Sequence, residues 1–366
     1  MSAAPRVRQA TQPLLVRAAW GEQVERTPLW MMRQAGRLLP EYRALRERWS
    51  LLEISRQPEL AARVTLQPLS HMPLDAAILF ADIMTPLDGA GVALDIVEGV
   101  GPVIESPVRS EEDVRALRPL EPEGDVPYVL ETLRTLRREL DPEVALIGFA
   151  GAPFTLASYL IEGRPTRTFT RTKTMMYSAP TLWHELMARL STLTVTYLRA
   201  QINAGADAVQ LFDSWVGALA PDDYASHVAP YTTRIFTALR ETTHVPLIHF
   251  GVGTATLLEA MRTNGATVIG LDWRVPLDEG WARVGHDLAV QGNLDPATLF
   301  APRKVISEKA GDVLRRAAGR PGHIFNLGHG ILPGTPLDGA IHLVHTVREQ
   351  SALIHAGSMP SLPITG

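Results

Sequence analysis

"VALIGFAGAPFTLASY", residues 144–159, changes character part-way along. Residues 144–149 form a short continuous apolar run containing Val, Ile and Phe, the length of a strand buried on both faces. Small residues then end it. The same kind of run recurs as "PLWMM" (28–32), "DAAILF" (75–80), "DAVQLF" (207–212), "VPLIHF" (245–250), "ATVIGL" (266–271), "HDLAVQ" (286–291) and "GHIFNL" (322–327). Between the runs lie amphipathic patterns of helical period. "PELAARVTLQPLS" (58–70) places Pro58 at a first helical position, and helical patterns follow at 125–140 and 181–205. The last of these reaches a stop signal at Asn203 and Gly205.

Strands alternating with helices imply a parallel sheet. Eight such strands predict an α/β fold of the (β/α)8 TIM-barrel type, a single domain with insertions. The rival is a doubly wound open sheet, which needs fewer strands. No G-x-G-x-x-G follows any of the runs, and that weakens a dinucleotide fold. The barrel is expected to span 13–350, between a flexible N-terminus (1–12) and a C-terminal tail (351–366).

Composition narrows the function. Of 366 residues, 46% are hydrophobic and 20% charged, the balance of a globular protein with a substantial core. A net charge of −4 provides no global field for nucleic acid or an anionic membrane, so neither is an expected partner. An anion must be caught locally, and residues 1–50 hold nine arginines against four glutamates. With no cysteine, thiolate nucleophiles, disulfides and cysteine-ligated metal centres are excluded. The N-terminus lacks an apolar signal-peptide core, and no run approaches the roughly 20 apolar residues of a membrane span, so the expected location is cytoplasmic.

Barrel enzymes carry their chemistry on the loops after the strands' C-terminal ends. Those positions hold Arg33, Gln34 and Arg37; Asp82; Tyr159; Asp213 and Ser214; Gly251 and Gly253; Asp272 and Trp273; Gly292 and Asn293; and His329. Most have a plainer reading. Arg33 and Arg37 suit an i,i+4 solvated pair, Asp82 and Asp213 suit helix N-caps, and Tyr159 suits the core. His329 is the exception, because its glycine neighbours offer little to pack against. Arginine forks do not titrate near neutrality and match carboxylates or phosphates. Beside Trp30, Met31 and Met32 they favour a carboxylated, partly apolar ligand over a sugar phosphate. Histidine clusters with metal-ligand spacing are lacking.

Together, "PLWMMRQAGRLLPEY", "LDAAILFADI", "IGFAGAPFTLASYLIEG", "LFDSWVG", "VIGLDW", "QGNLDP" and "NLGHGILP" resemble the uroporphyrinogen decarboxylase family, in order, from about residue 13 to 350. The resemblance implies a cytoplasmic (β/α)8 barrel, usually a homodimer, in tetrapyrrole (haem) biosynthesis. It implies removal of the four acetate carboxylates of uroporphyrinogen III to give coproporphyrinogen III and CO2, with no cofactor and no metal. By motif, Arg33 and Arg37 hold substrate carboxylates, with Gln34, Ala35 and Gly36 in the same binding segment. Asp82 faces the pyrrole N–H groups, and Tyr159, Ser214 and His329 line the same cleft. The residues implied for catalysis are Asp82, Arg33, Arg37, Tyr159 and His329. Where some members of the family carry Glu and His-Ala, "FDSWVG" has Asp and Trp-Val around the retained serine. Three competitors remain. A methyltransferase of the same superfamily typically binds zinc through His and Cys, which the cysteine count opposes. A porphyrin carrier would need the arginines but not Asp82, and a metal-dependent barrel hydrolase would need a bound ion.

Overall fold

The computed structural model describes residues 12–36, 38–97 and 99–357. Arg37, residues 1–11 and residues 358–366 lie outside the described residues. Among the described residues nine strands follow in chain order: β1 (Ala76–Ile78), β2 (Leu94–Val97), β3 (Gly101–Ile104), β4 (Ala145–Gly151), β5 (Ala208–Asp213), β6 (Leu247–Gly251), β7 (Val268–Gly270), β8 (Ala289–Leu294) and β9 (His323–Leu327). Seven of them form one parallel sheet, ordered β1-β4-β5-β6-β7-β8-β9. Every residue of β4 is buried, as the continuous apolar run requires.

The expected first strand, 28–32, closes the barrel as a single bridge rather than a full strand. Leu29 pairs in parallel with Phe325 of β9. The Phe325 N–H donates to Pro28 O at 2.8 Å, and on the other side the Asp75 N–H donates to Leu29 O at 2.9 Å. The ladder stops there because side-chain amides take over the next backbone groups. Met31 N–H donates to Gln34 Oε1 and Met32 N–H to Asn326 Oδ1. Residues 28–30 are therefore the eighth stave. They join the two edges that an open sheet would leave unpaired, so the fold is a (β/α)8 barrel and a single domain.

A buried ion cluster supports this seam. Asp75 Oδ2 accepts the Leu29 N–H at 2.8 Å and an Arg26 guanidinium N–H at 2.7 Å. Arg348, on the final helix, reaches Asp75 Oδ1 at 3.4 Å. The outer ring includes the helices Pro58–His71, Pro127–Glu139 and Pro180–Asn203, each with proline in its first turn. The final helix, Leu337–His355, carries helical structure past residue 350. Among the described residues no helix is long and apolar enough to cross a membrane.

The antiparallel β2–β3 hairpin has no counterpart among the expected runs. It leaves the barrel after β1 and returns over the C-terminal mouth. Its base is held there by the Ile104 N–H, which donates to Gly163 O at 2.8 Å.

Candidate active site

A cavity of about 460 Å³ opens at the C-terminal ends of the barrel strands, a size typical of ligand sites. Its floor and walls are apolar. Phe149, Phe212 and Phe250 come from the ends of β4, β5 and β6 and meet edge to face, with centroids 5.5 and 6.1 Å apart. Ile96, Val100 and Pro102 of the hairpin form part of its lip.

Asp82 lines this apolar chamber just beyond β1. Its Oδ1 accepts the Met84 N–H at 2.9 Å, an Asx turn that steadies the entry to the helix Thr85–Gly89. The N-cap of that helix is Met84, with no side-chain cap bond, so Asp82 holds the turn before the helix rather than capping it, and it lines the cavity. Burial pushes the Asp82 pKa above the ordinary carboxylate value, against the Met84 N–H and the Arg33 charge, which pull it down.

Arg33 reaches the cavity from a left-handed backbone, φ +63°. That conformation costs a non-glycine residue roughly 1–3 kcal/mol and persists only when its surroundings over-determine it. They do so here. Asn326 Oδ1 holds the Met32 N–H at 3.1 Å, and Ile331 N–H donates to Met32 O at 2.9 Å. Gln34 is strapped on both sides, accepting the Met31 N–H at 2.9 Å and donating to Ala76 O at 2.8 Å. Gly330 leaves room for the arginine stem, since a Cβ there would lie 2.6 Å from Arg33 Cδ.

One residue of the expected binding segment lies outside the cavity lining. Gln34 is fully buried and does not line the cavity, because both ends of its amide are engaged by backbone. It shapes the loop that presents Arg33. Ala35 and Gly36 do line the cavity.

Tyr159 stands on the helix Pro153–Glu162, and its ring lies against Trp215 with centroids 4.0 Å apart. Burial is the main cause of a strongly raised Tyr159 pKa. The Asp82 charge adds to the rise and Arg33 opposes it, so the three residues share one electrostatic neighbourhood. Ser214 follows β5 directly and lines the cavity with Trp215. His329 packs edge-on against Trp273, centroids 6.1 Å apart, and its Nδ1 donates to Gly330 O at 3.2 Å. Gly328 allows this approach, because a Cβ there would meet Trp273 N. The "GHG" glycines are thus explained, one by Trp273 and the other by Arg33.

The structure brings Arg33, Ala35, Gly36, Asp82, Tyr159, Ser214 and His329 to one cavity. Sequence reading overlooked the phenylalanine wall, although four apolar runs each end in a Phe that lines the cavity, and it passed over Trp215 and the hairpin lip. Among the described residues no group of three or more His, Asp or Glu side chains is placed to hold a metal ion.

A parallel barrel with an apolar cleft, an arginine and a carboxylate at its strand ends is a (β/α)8-barrel enzyme. The family model for uroporphyrinogen decarboxylase matches residues 10–350. A uroporphyrinogen decarboxylase from Thermus thermophilus is 55% identical, covering 93% of this chain and 98% of that protein. Another, from Carboxydothermus hydrogenoformans, is 52% identical over 92% of this chain and 96% of that protein. The chain belongs to the uroporphyrinogen decarboxylase family. A methyltransferase from Methanosarcina mazei has a similar fold, with a TM-score of 0.74 and 20% identity, covering 92% of this chain and 97% of that one.

Proposed function

We propose that this cavity binds uroporphyrinogen III and that Asp82 is the carboxylate around which its decarboxylation is organised. The enzyme is a carboxy-lyase of haem biosynthesis. It removes the four acetate carboxylates of uroporphyrinogen III and yields coproporphyrinogen III and CO2. Loss of CO2 from an acetate arm leaves an electron pair that needs an acceptor. Protonation of a pyrrole ring carbon turns the ring into an iminium-like cation. The pair from the breaking C–C bond flows into that cation as CO2 departs. The methylene carbon is then protonated to methyl and the ring carbon loses its added proton. Each round consumes one proton, and the electron sink is the substrate's own ring.

Asp82 serves this path in two ways. An ionised carboxylate only accepts hydrogen bonds, so it suits the inward-facing pyrrole N–H groups. It also sits beside the developing ring cation in a water-poor site, where a preorganised charge has its largest effect. Arg33 and Arg37 hold propionate and acetate carboxylates, and Tyr159, Ser214 and His329 orient the macrocycle. The observation that carries this reading is a carboxylate that shares one largely apolar cavity with Arg33, Tyr159, Ser214 and His329. Anaerobic incubation with uroporphyrinogen, followed by chromatography of the oxidised products, tests it. Stepwise loss of carboxyl groups by the wild type and not by Asp82→Asn is expected. Equal turnover by the two would remove Asp82 from the mechanism.

The protein works in the cytoplasm as a homodimer, in which paired clefts shield the large substrate and its partly decarboxylated intermediates. Light scattering at micromolar concentration checks this, and a monomeric mass would refute it.

A further inference from the structure

Asp213 ends β5, next to the cavity residues Phe212 and Ser214, yet it is not a cavity residue. Strand alternation turns its side chain away from the barrel axis, and the carboxylate is fully buried. Burying a carboxylate is costly unless neighbours compensate, so its contacts carry information. Thr155 Oγ1 donates to Asp213 Oδ1 at 3.0 Å. The same hydroxyl oxygen accepts the Trp215 N–H at 3.4 Å. On the far side, His249 Nε2 lies 3.6 Å from Asp213 Oδ2. The tautomer follows from geometry. Asn264 Oδ1 accepts the Ala266 N–H, so its Nδ2 is the atom that donates to His249 Nδ1. A neutral His249 therefore carries its proton on Nε2, facing Asp213.

Thr155 lies one helical turn before Tyr159 on the helix Pro153–Glu162. Tyr159 in turn packs on Trp215, which follows Ser214. A closed circuit results. Asp213 fixes Thr155, Thr155 fixes both its own helix and the Trp215 peptide, and Trp215 meets Tyr159.

We propose that Asp213 and Thr155 are positioning residues: their hydrogen bond locks the helix bearing Tyr159 to the turn bearing Ser214 and Trp215, and so sets the tyrosine wall of the cavity. This rests on reading Tyr159 and Ser214 as substrate-facing. Displacing reacting groups by about 1 Å can cost about 10²-fold in rate, so a lost lock is expected in kcat more than in KM.

The experiment compares Thr155→Val, Thr155→Ser, Asp213→Asn and the Val/Asn double variant, with Tyr159→Phe alongside. Steady-state kinetics are normalised to folded enzyme by circular dichroism and thermal melts. Thr155→Val keeps the shape of the side chain and removes the hydroxyl, so kcat should fall about ten- to a hundredfold. Thr155→Ser restores the hydroxyl and should recover most of that loss. The double variant should be no slower than the worse single variant, because both break one circuit. A folded Thr155→Val enzyme with wild-type kcat and a lowered melting temperature would overturn the proposal. Multiplicative losses in the double variant would overturn it too. Wild-type turnover in Tyr159→Phe would instead count against the substrate-facing reading of Tyr159. The two failures are read from different variants.

Discussion

At a single side chain, Asp82 combines a turn-forming role and a chemical one, and substitution separates them. Asn keeps an oxygen for the Met84 N–H but replaces an acceptor-only anion with an amide whose donors oppose pyrrole N–H groups. Loss of a preorganised electrostatic partner typically costs about 10²–10³ in turnover. Asp82→Glu keeps the charge on a longer arm and should be impaired less. A pure helix cap would reverse that order, because Asn caps as well as Asp. The same substitution should raise the melting temperature near neutral pH. Burial raises the folded-state pKa of Asp82, so this group stabilises the fold in its protonated form. That contribution is complete below the unfolded-state pKa and is lost as pH rises through the folded one. Thermal melts of the Asn variant should therefore lie above wild type at neutral pH and converge with it in acid. A lower melting temperature at neutral pH would contradict this. The pH profile of kcat/KM follows from the same shift. Activity requires the ionised form, so its acid limb should lie above the range of an ordinary aspartate. A limb at the ordinary position would assign it to another group. Motifs named most of the residues in this cavity, but a motif gives residue type without direction. Gln34 shares its motif with Arg33 and points into the protein, where two backbone partners hold it. Asp213 shares one with Ser214 and faces the helix layer.

The elements were readable wherever burial on two faces left a continuous apolar run. β4, β5, β6 and β9 fall within or close to their predicted bounds. The run at 286–291 starts three residues before β8, because 286–288 lie in the approach to the strand. The hairpin was invisible for the complementary reason. β2 alternates half-buried and exposed positions over the cavity mouth and needs no apolar run. The seam at 28–30 was readable as apolar sequence but not as a stave of so few backbone bonds. Its brevity explains why Asp75 is buried there among two arginines and a backbone N–H. Removing one partner of a buried ion pair typically costs about 3–5 kcal/mol. Asp75→Ala strands the Arg26 charge and the Leu29 N–H together, so a loss of that order is expected in urea titrations. Asp75→Asn keeps an acceptor for Leu29 and should lose less. Equal stabilities of wild type and Asp75→Ala would show that backbone pairing alone closes the barrel.

For the molecule as a whole, closure of the barrel was predictable from counting runs, whereas its acid sensitivity depends on burial that only the assembled fold creates. His323 opens β9 and packs near Trp281 and Phe325, with centroids 6.3 and 6.2 Å away. Its Nε2 donates to Gly292 O at 3.0 Å, which leaves Nδ1 as the site for a second proton, and that atom is buried without a hydrogen-bond partner. Burial lowers the His323 pKa from 6.5 to about 4, and His355 on the final helix pushes it in the same direction. The unfolded chain therefore binds more protons at this histidine between those two values. Stability from the neutral imidazole is full above pH 6.5, declines as pH falls toward about 4 and changes no further below that. His323→Gln can still donate to Gly292 O but does not titrate. The melting temperature of wild type should fall more steeply than that of the variant between pH 6.5 and 4, with the two slopes alike above pH 7. Parallel slopes throughout would mean that His323 is already solvated in the folded state.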